Sequence, residues 1–384
     1  MRVLKFTSVA TLVLGLLATP SFAQEKKEAN EYLFTNKIML DATPIKNQQM
    51  TGTCWSYCTT SFIESEIIRM GGPSVDLSEM YNVRMNYVEK SMNYVMRQGK
   101  SQFGEGGLSH DVMKAIHKYG MVPESAYGGN QYNPGHHNHQ EMAAILESTL
   151  KTVVKNSRHI SASWMGNIDG TLNTYLGEAP TEFDYEGKTY NPKSFAEFLK
   201  FNPNDYMTFT SFTNAPFYEQ YILQVPDNWA NGSFNNLPLN EMMDVIDHAL
   251  ENGYTIAWDA DVSEKTWSRK KSIAIMPATP FREMTAEEKE QLFHKVIPEM
   301  TPTQEERQRL FLNFQTTDDH LMHIIGTAID QDGNDYYLVK NSWGDQRAFD
   351  GYVYVSKAYM AMKTMGIMIH KDAVPKAIAK KLSK

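Results

Sequence analysis

The segment Asn47-Gln48-Gln49-Met50-Thr51-Gly52-Thr53-Cys54-Trp55 puts a cysteine where a helical pattern begins. At the first turn of a helix a thiol feels the positive end of the helix dipole, which favours the thiolate, the attacking species in nucleophilic catalysis. Gln48, six residues earlier, can aim its side-chain amide at the point served by the Cys54 backbone N–H. Two such donors form an oxyanion hole. The plain alternative is a buried structural cysteine at a helix start. A base for the thiol is offered by Asp319-His320-Leu321-Met322-His323, and Val339-Lys340-Asn341-Ser342-Trp343-Gly344 follows it. A histidine entering one strand of a hairpin and an asparagine leaving the next can lie side by side. The asparagine carbonyl then fixes the tautomer and orientation of the imidazole, and Trp343 shields that bond from water. This is acyl-transfer chemistry through a thiol, and it needs no metal or organic cofactor.

The elements that must position these residues are legible in outline. Phe62, Ile63, Ile67 and Ile68 fall at helical spacing after Cys54, and Gly71-Gly72-Pro73 stops a helix over Cys54–Met70. Leu77-Ser78-Glu79 opens a second helix to about Gln98, and His110 to Tyr119 reads as a third. Residues 130–240 are rich in Asn, Tyr, Pro and Gly without a repeat, and read as an ordered, irregular insertion. Leu239–Glu251 is an amphipathic helix and Tyr254–Val262 a strand. Thr285-x-x-Glu288 and Thr303-x-x-Glu306 are capping boxes that start two more helices. Ile324–Ile329 and Tyr336–Val339 flank a turn at Asp332-Gly333, and Gly351–Ser356 is another strand. Helical first and β-rich later, the chain is expected to be α+β.

With 384 residues, 42% hydrophobic and 21% charged, the chain is long enough for two substantial lobes and is neither disordered nor fibrous. A net charge of −8 gives no reason to expect nucleic acid or an anionic membrane as partner. Residues 1–23 read as a signal peptide: Arg2 and Lys5, an apolar run from Val9 to Leu17, then Pro20-Ser21-Phe22-Ala23 before Gln24. An exported protein, periplasmic or extracellular, is expected, with a retained membrane anchor as the alternative. The apolar run is too short to span a bilayer, so no stable membrane span is expected. Cys54 and Cys58 are the two cysteines of the chain, a turn apart on one helix, which is poor geometry for a disulfide.

Gln48…Cys54-Trp55, His320…Gly326 and Asn341-Ser342-Trp343-Gly344 together resemble the three active-site blocks of papain-like cysteine peptidases. Thr51 stands where that group carries a disulfide cysteine, and the His and Asn lie 266 and 287 residues after Cys54. Both departures resemble the bleomycin hydrolase and aminopeptidase C branch, as do Asn236-Leu237-Pro238-Leu239, Ala257–Val262 and Ala373-Val374-Pro375. The resemblance implies a two-lobe fold, a helical lobe plus a β-barrel-like lobe, with a large inserted region. The expected division is 24–129 helical lobe, 130–240 insertion and 241–384 β-rich lobe. It implies Cys54 as nucleophile, Gln48 as oxyanion donor, His320 as base and Asn341 as its orienter. His320 is preferred to His323 because it stands six residues before Gly326, as the family histidine does before its glycine. It also implies that Gly106 and Gly107 line the substrate cleft, beside Trp343, so that a peptide or protein substrate can pair with the backbone.

Homo-oligomerisation is implied in the same way. The resembled enzymes use a C-terminal arm to restrict the cleft to free amino termini. Here Lys384 follows nine residues after Pro375, so both aminopeptidase and endopeptidase or oligopeptidase action are open. Acyl transfer to an amine, or peptide binding without turnover, are the other readings of the same site. Cys58 reads as a small core residue. His136-His137-x-His139 reads as a solvated loop rather than a metal site, and Asp330-x-Asp332-Gly333-Asn334-Asp335 as a hairpin turn rather than a calcium loop.

Overall fold

The computed structural model describes residues 32–155 and 159–382, so the proposed signal peptide lies outside the described residues. The first half of the chain holds five helices: α1 (Cys54–Arg69), α2 (Glu79–Met96), α3 (Ser109–Tyr119), α4 (Gln140–Lys155) and α5 (Ser163–Leu176). Ser78 caps α2 by accepting from the Tyr81 N–H at 3.0 Å, as its position before the acidic first turn foretells. Helix α1 is buried almost throughout, from Cys54 to Ile67, because the other helices pack against one side of it and a sheet against the other. Its polar residues therefore need partners inside. Glu64 accepts from Thr43 Oγ1 at 2.5 Å and from the Leu77 N–H at 2.8 Å.

The sheet has eleven strands. In chain order they are β1 (Thr35–Met39), then, past a separate hairpin of β2 (Phe183–Tyr185) and β3 (Lys188–Tyr190), β4 (Tyr206–Thr210), β5 (Gln220–Ile222) and β6 (Ser233–Asn236). They continue with β7 (Ile256–Ala260), β8 (Trp267–Ser268), β9 (Ile273–Ala274), β10 (His320–Ile329), β11 (Asp335–Lys340), β12 (Tyr352–Ser356) and β13 (Thr364–His370). The strand order is 5-6-4-13-7-10-11-12-9-8, with β1 added to β10. Among the described residues the sheet is open, with β5 and β8 at its two ends, so the expected barrel-like lobe is corrected to an open mixed sheet. Closure needs the end strands to pair, and here they are short and far apart in the order.

Helix α6 (Pro192–Phe198) follows the small hairpin, and α7 (Leu239–Glu251) crosses the far face of the sheet. Three short helices, α8 (Ala286–Gln291), α9 (Gln304–Leu312) and α10 (Lys357–Lys363), and the terminal α11 (Lys376–Leu382) complete the chain. Alternation along the strands sorts the two faces. Ala257 and Leu321 face α1, whereas Ile256, Trp258, Ala260, Met322 and Ile324 join the core under α7 and α10. Strands β4, β5 and β6 belong to the main sheet, while α4 and α5 pack on α2. The segment 130–240 thus serves both halves of the molecule.

Strand β10 is the frame of the site. β11 covers one of its edges over His323–Ile329, so β7, along His320–Ile324, and β1, along Gly326–Ile329, must share the other. The exchange occurs at Gly326, where an added Cβ would lie 2.0 Å from the Ile38 carbonyl oxygen. Only glycine admits so close a backbone.

Candidate active site

Cys54 opens α1 and is 9% exposed. Its backbone N–H is among the first of the helix, which have no intrahelical acceptor. Its sulfur is in hydrogen-bonding contact with the backbone of Leu321, the residue after His320. His320 begins β10, and Asn341 follows the last residue of β11. His320 Nε2 meets Asn341 Oδ1 at 2.8 Å, and the same oxygen accepts from the Ser342 N–H at 2.8 Å. That second bond fixes which amide atom is the oxygen. An amide oxygen only accepts, so Nε2 carries the hydrogen and Nδ1 is left with the lone pair. Trp343 stacks on the imidazole at 4.6 Å between centroids and 22° between planes. The guanidiniums of Arg269 and Arg347 lie 4.9 and 5.5 Å from the Trp343 ring centre.

Gln48 is held at both ends of its amide. Its Oε1 accepts from Ser342 Oγ at 2.6 Å, and its Nε2 donates to the Thr51 carbonyl at 2.7 Å, leaving a second N–H hydrogen. The loop before the nucleophile is further tied by the Gly52 N–H to Glu105 Oε2 at 2.6 Å and by Trp55 Nε1 to the Glu105 carbonyl at 2.9 Å. Gly106 and Gly107 follow directly. A Cβ on Gly106 would fall 1.9 Å from Asp227 Oδ2, so the space beside this glycine is taken by the chain's own Asp227. A Cβ on Gly107 would stand 3.1 Å from the Trp55 indole. Lys90 Nζ donates to the carbonyls of Gly104 and Gly106, and burial lowers its pKa to about 8.

The electrostatics differ from the expectation of a helix-stabilised thiolate. Burial pushes the Cys54 thiol up to about 12, and the carboxylates of Asp318, Asp227 and Asp259 add to the rise. Burial likewise lowers His320 to about 4, the Asn341 bond opposing this and Arg269 reinforcing it. Desolvation thus disfavours the charged form of each partner, and at the sulfur it outweighs the half-charge of the helix end.

His323 is placed elsewhere. Its Nδ1 lies 2.9 Å from Ser61 Oγ, which also accepts from Lys340 Nζ at 2.7 Å, so it belongs to a buried network behind α1 and has no bond to Asn341. Cys58 donates to the Met322 carbonyl at 2.9 Å inside the core. The His-rich loop runs along the nucleophile loop, Met50 N–H bonding the His137 carbonyl at 3.2 Å. Among the described residues no group of three His, Cys, Asp or Glu side chains could hold a metal. Asp330 Oδ1 accepts from the N–H groups of Asp332 and Asn334, both at 2.9 Å, and closes the β10–β11 hairpin.

Several residues of the site escaped the sequence reading: Asp227, Asp259 and Asp318, which act on the sulfur, Arg269 beside His320 and Trp343, and Glu105 and Lys90 behind the nucleophile loop. For Asp259 there was a signal, a carboxylate inside the apolar strand Ile256–Ala260, since buried charge without a partner is rare. For Asp227, in the irregular segment, there was none.

A model of the peptidase C1-like family matches residues 8–384. The chain is 23% identical over 405 residues to aminopeptidase C of Streptococcus thermophilus, covering 93% of this chain and 86% of that one. It is 24% identical to aminopeptidase W of Lactobacillus delbrueckii subsp. lactis, covering 90% and 84%. Among solved structures, PepW from Lactobacillus rhamnosis HN001 superposes with a TM-score of 0.72 at 19% identity, over 91% of this chain and 84% of that one. The chain therefore belongs to the peptidase C1-like family, as a papain-like cysteine peptidase of the aminopeptidase C branch.

Proposed function

We propose that the chain is an exported aminopeptidase that works through Cys54, His320, Asn341 and Gln48. The observation that carries the reading is the bond of 2.8 Å from His320 Nε2 to Asn341 Oδ1, which leaves Nδ1 as the basic nitrogen beside the residue whose backbone meets the Cys54 sulfur. Substrate closes the cleft, and the thiol proton passes to His320 Nδ1 as the sulfur attacks the peptide carbonyl carbon. The oxyanion takes hydrogen bonds from the Cys54 N–H and the free hydrogen of Gln48 Nε2. His320 returns the proton to the leaving amine as the C–N bond breaks, giving a thioester. Water then attacks, its proton going to His320 and back to the sulfur as the acyl group leaves. Asn341 and Trp343 hold the ring in one orientation throughout, while the absence of a side chain at Gly106 and Gly107 lets Asp227 and the Trp55 indole pack against the loop that follows Glu105.

The names of the aminopeptidase C and W relatives support the choice of aminopeptidase over endopeptidase action. The test compares unblocked aminoacyl amides with N-acetylated peptides, using wild type and Cys54→Ala. Cleavage of the unblocked series by wild type alone is expected. Equal or better cleavage of the acetylated series rules out a strict aminopeptidase, and full activity in Cys54→Ala removes the proposed nucleophile. Export through residues 1–23 is tested by N-terminal sequencing of the mature protein, which should begin near Gln24.

A further inference from the structure

Asp259 sits in the middle of β7, paired with Leu321 on one side and Gly366 on the other. It alternates with Trp258, so its side chain emerges with Ala257 on the face that carries Leu321 and α1. The carboxyl is 4% exposed, and neither oxygen meets a donor. The group within hydrogen-bonding reach is another carboxyl, that of Asp318, whose Oδ2 also lacks a donor. Asp227 and Asp319 add further negative charge, so the charged groups acting most strongly on Asp259 are all carboxylates. Burial, then Asp318, holds Asp259 well above the usual carboxylate range, and burial with Asp227 raises Asp318 to about 7.

Asp259, with Asp318 within hydrogen-bonding reach behind it, borders a cavity of about 10 Å³, room for one water-sized group, whose walls also include Leu108, Ser109, His110, Leu321 and Gly366. Its wall at Leu321 is the residue whose backbone meets the Cys54 sulfur. As a core feature such a pair is costly, since an apolar pair would fill the same place without buried charge. As one half of a recognition site it is complete once a cation arrives.

We propose that Asp259 and Asp318 form the subsite for a protonated amine of the peptide substrate, which enters the cavity beside Cys54 and supplies the donors these carboxylates lack. This rests on the cysteine-peptidase reading and gives the substrate class: peptides that present a primary ammonium next to the bond cleaved. The ammonium has three N–H donors, enough to satisfy both carboxylates and one neighbouring carbonyl. It can be the free amino terminus of the substrate or a lysine side chain.

Four fluorogenic amides distinguish these sources: an unblocked alanyl amide, its N-acetyl form, an N-acetyl-lysyl-alanyl amide and an N-acetyl-alanyl-alanyl amide. For wild type, kcat/KM for at least one amine-bearing substrate should exceed that of its neutral counterpart by roughly ten- to hundred-fold. In Asp259→Asn and Asp318→Asn that ratio should fall to within about three-fold of one. A preference carried by the first substrate assigns the amino terminus, and one carried by the third assigns the lysine. A wild type without preference overturns the proposal, as does a ratio unchanged in both variants. So does an equal loss for charged and neutral substrates, which is what a structural pair would give. Asp318 is the more exposed partner, so its variant serves if Asp259→Asn fails to fold. Failure of the peptidase reading looks different: no substrate of the four is cleaved, and iodoacetamide leaves Cys54 of the native wild type unlabelled.

Discussion

At the residue scale the site is a set of side chains each held by a second one. Gln48 is fixed between Ser342 and Thr51, so its spare hydrogen is aimed before substrate arrives. Gln48→Ala should lower kcat by about 10²–10³ with a smaller change in KM, measured on the best unblocked amide. His320 and His323 separate cleanly by partner. His320→Ala should lower kcat by about 10²–10⁴. His323→Ala should instead cost about 2 kcal/mol or more of stability in urea while the folded fraction turns over within a few-fold of wild type. Burial lowers His320 to about 4, so the imidazole is neutral and able to accept a proton at every pH above that value. The acid limb of kcat/KM on a neutral, N-blocked substrate should therefore lie near pH 4. A limb near 6.5, the value of an unperturbed histidine, would contradict the burial described. The four residues of the proposed mechanism could be nominated from the sequence because of their neighbours in the chain, Gly52 and Trp55, Asp319, Ser342 and Trp343. The carboxylates around the sulfur are assembled from β7, from the approach to β10 and from the irregular segment, and no local pattern announces a meeting of that kind.

At the scale of elements, starts and turns were the legible part. Ser78 capping α2, Thr285 capping α8 and the Asp330 turn all follow from side chains bonding backbone within a few residues. Local chemistry fixes them whatever the fold does. The extent of β10 was less legible: its first half, His320-Leu321-Met322-His323, shows no alternation because both its faces are covered. The change of neighbours at Gly326 is likewise tertiary in origin. Gly326→Ala forces a Cβ against the Ile38 carbonyl, so β1 must shift or detach. A loss of about 2 kcal/mol or more is expected in urea titration, with cleavage by an added protease appearing first near Ile38. Equal stability and an unchanged cleavage pattern would show that β1 can yield without cost.

At the scale of the whole molecule, deeply buried polar ties help hold the open sheet to its surroundings. Arg307 of α9 is fully buried and gives hydrogen bonds to the carbonyls of Ser211, Ala361 and Thr364, with its guanidinium 4.6 Å from the Phe212 ring. It joins the end of β4 to α10 and β13. Arg307→Met would strand three carbonyls without a donor, and at least ~3 kcal/mol should be lost in chemical denaturation. The α+β character could be read from the order of helical and alternating segments. The open sheet could not, because β4 and β13 become neighbours across more than a hundred residues of chain. Lys340 is another such tie. Its ammonium is buried, bonded to Thr43 and Ser61, and the next residue is Asn341. A single peptide link thus separates the interior scaffold from the proposed proton-handling group. A laboratory search for heat-tolerant variants that repacks Thr43, Ser61 or Lys340 would consequently retune turnover with every step, so endurance and speed in this enzyme are inherited together.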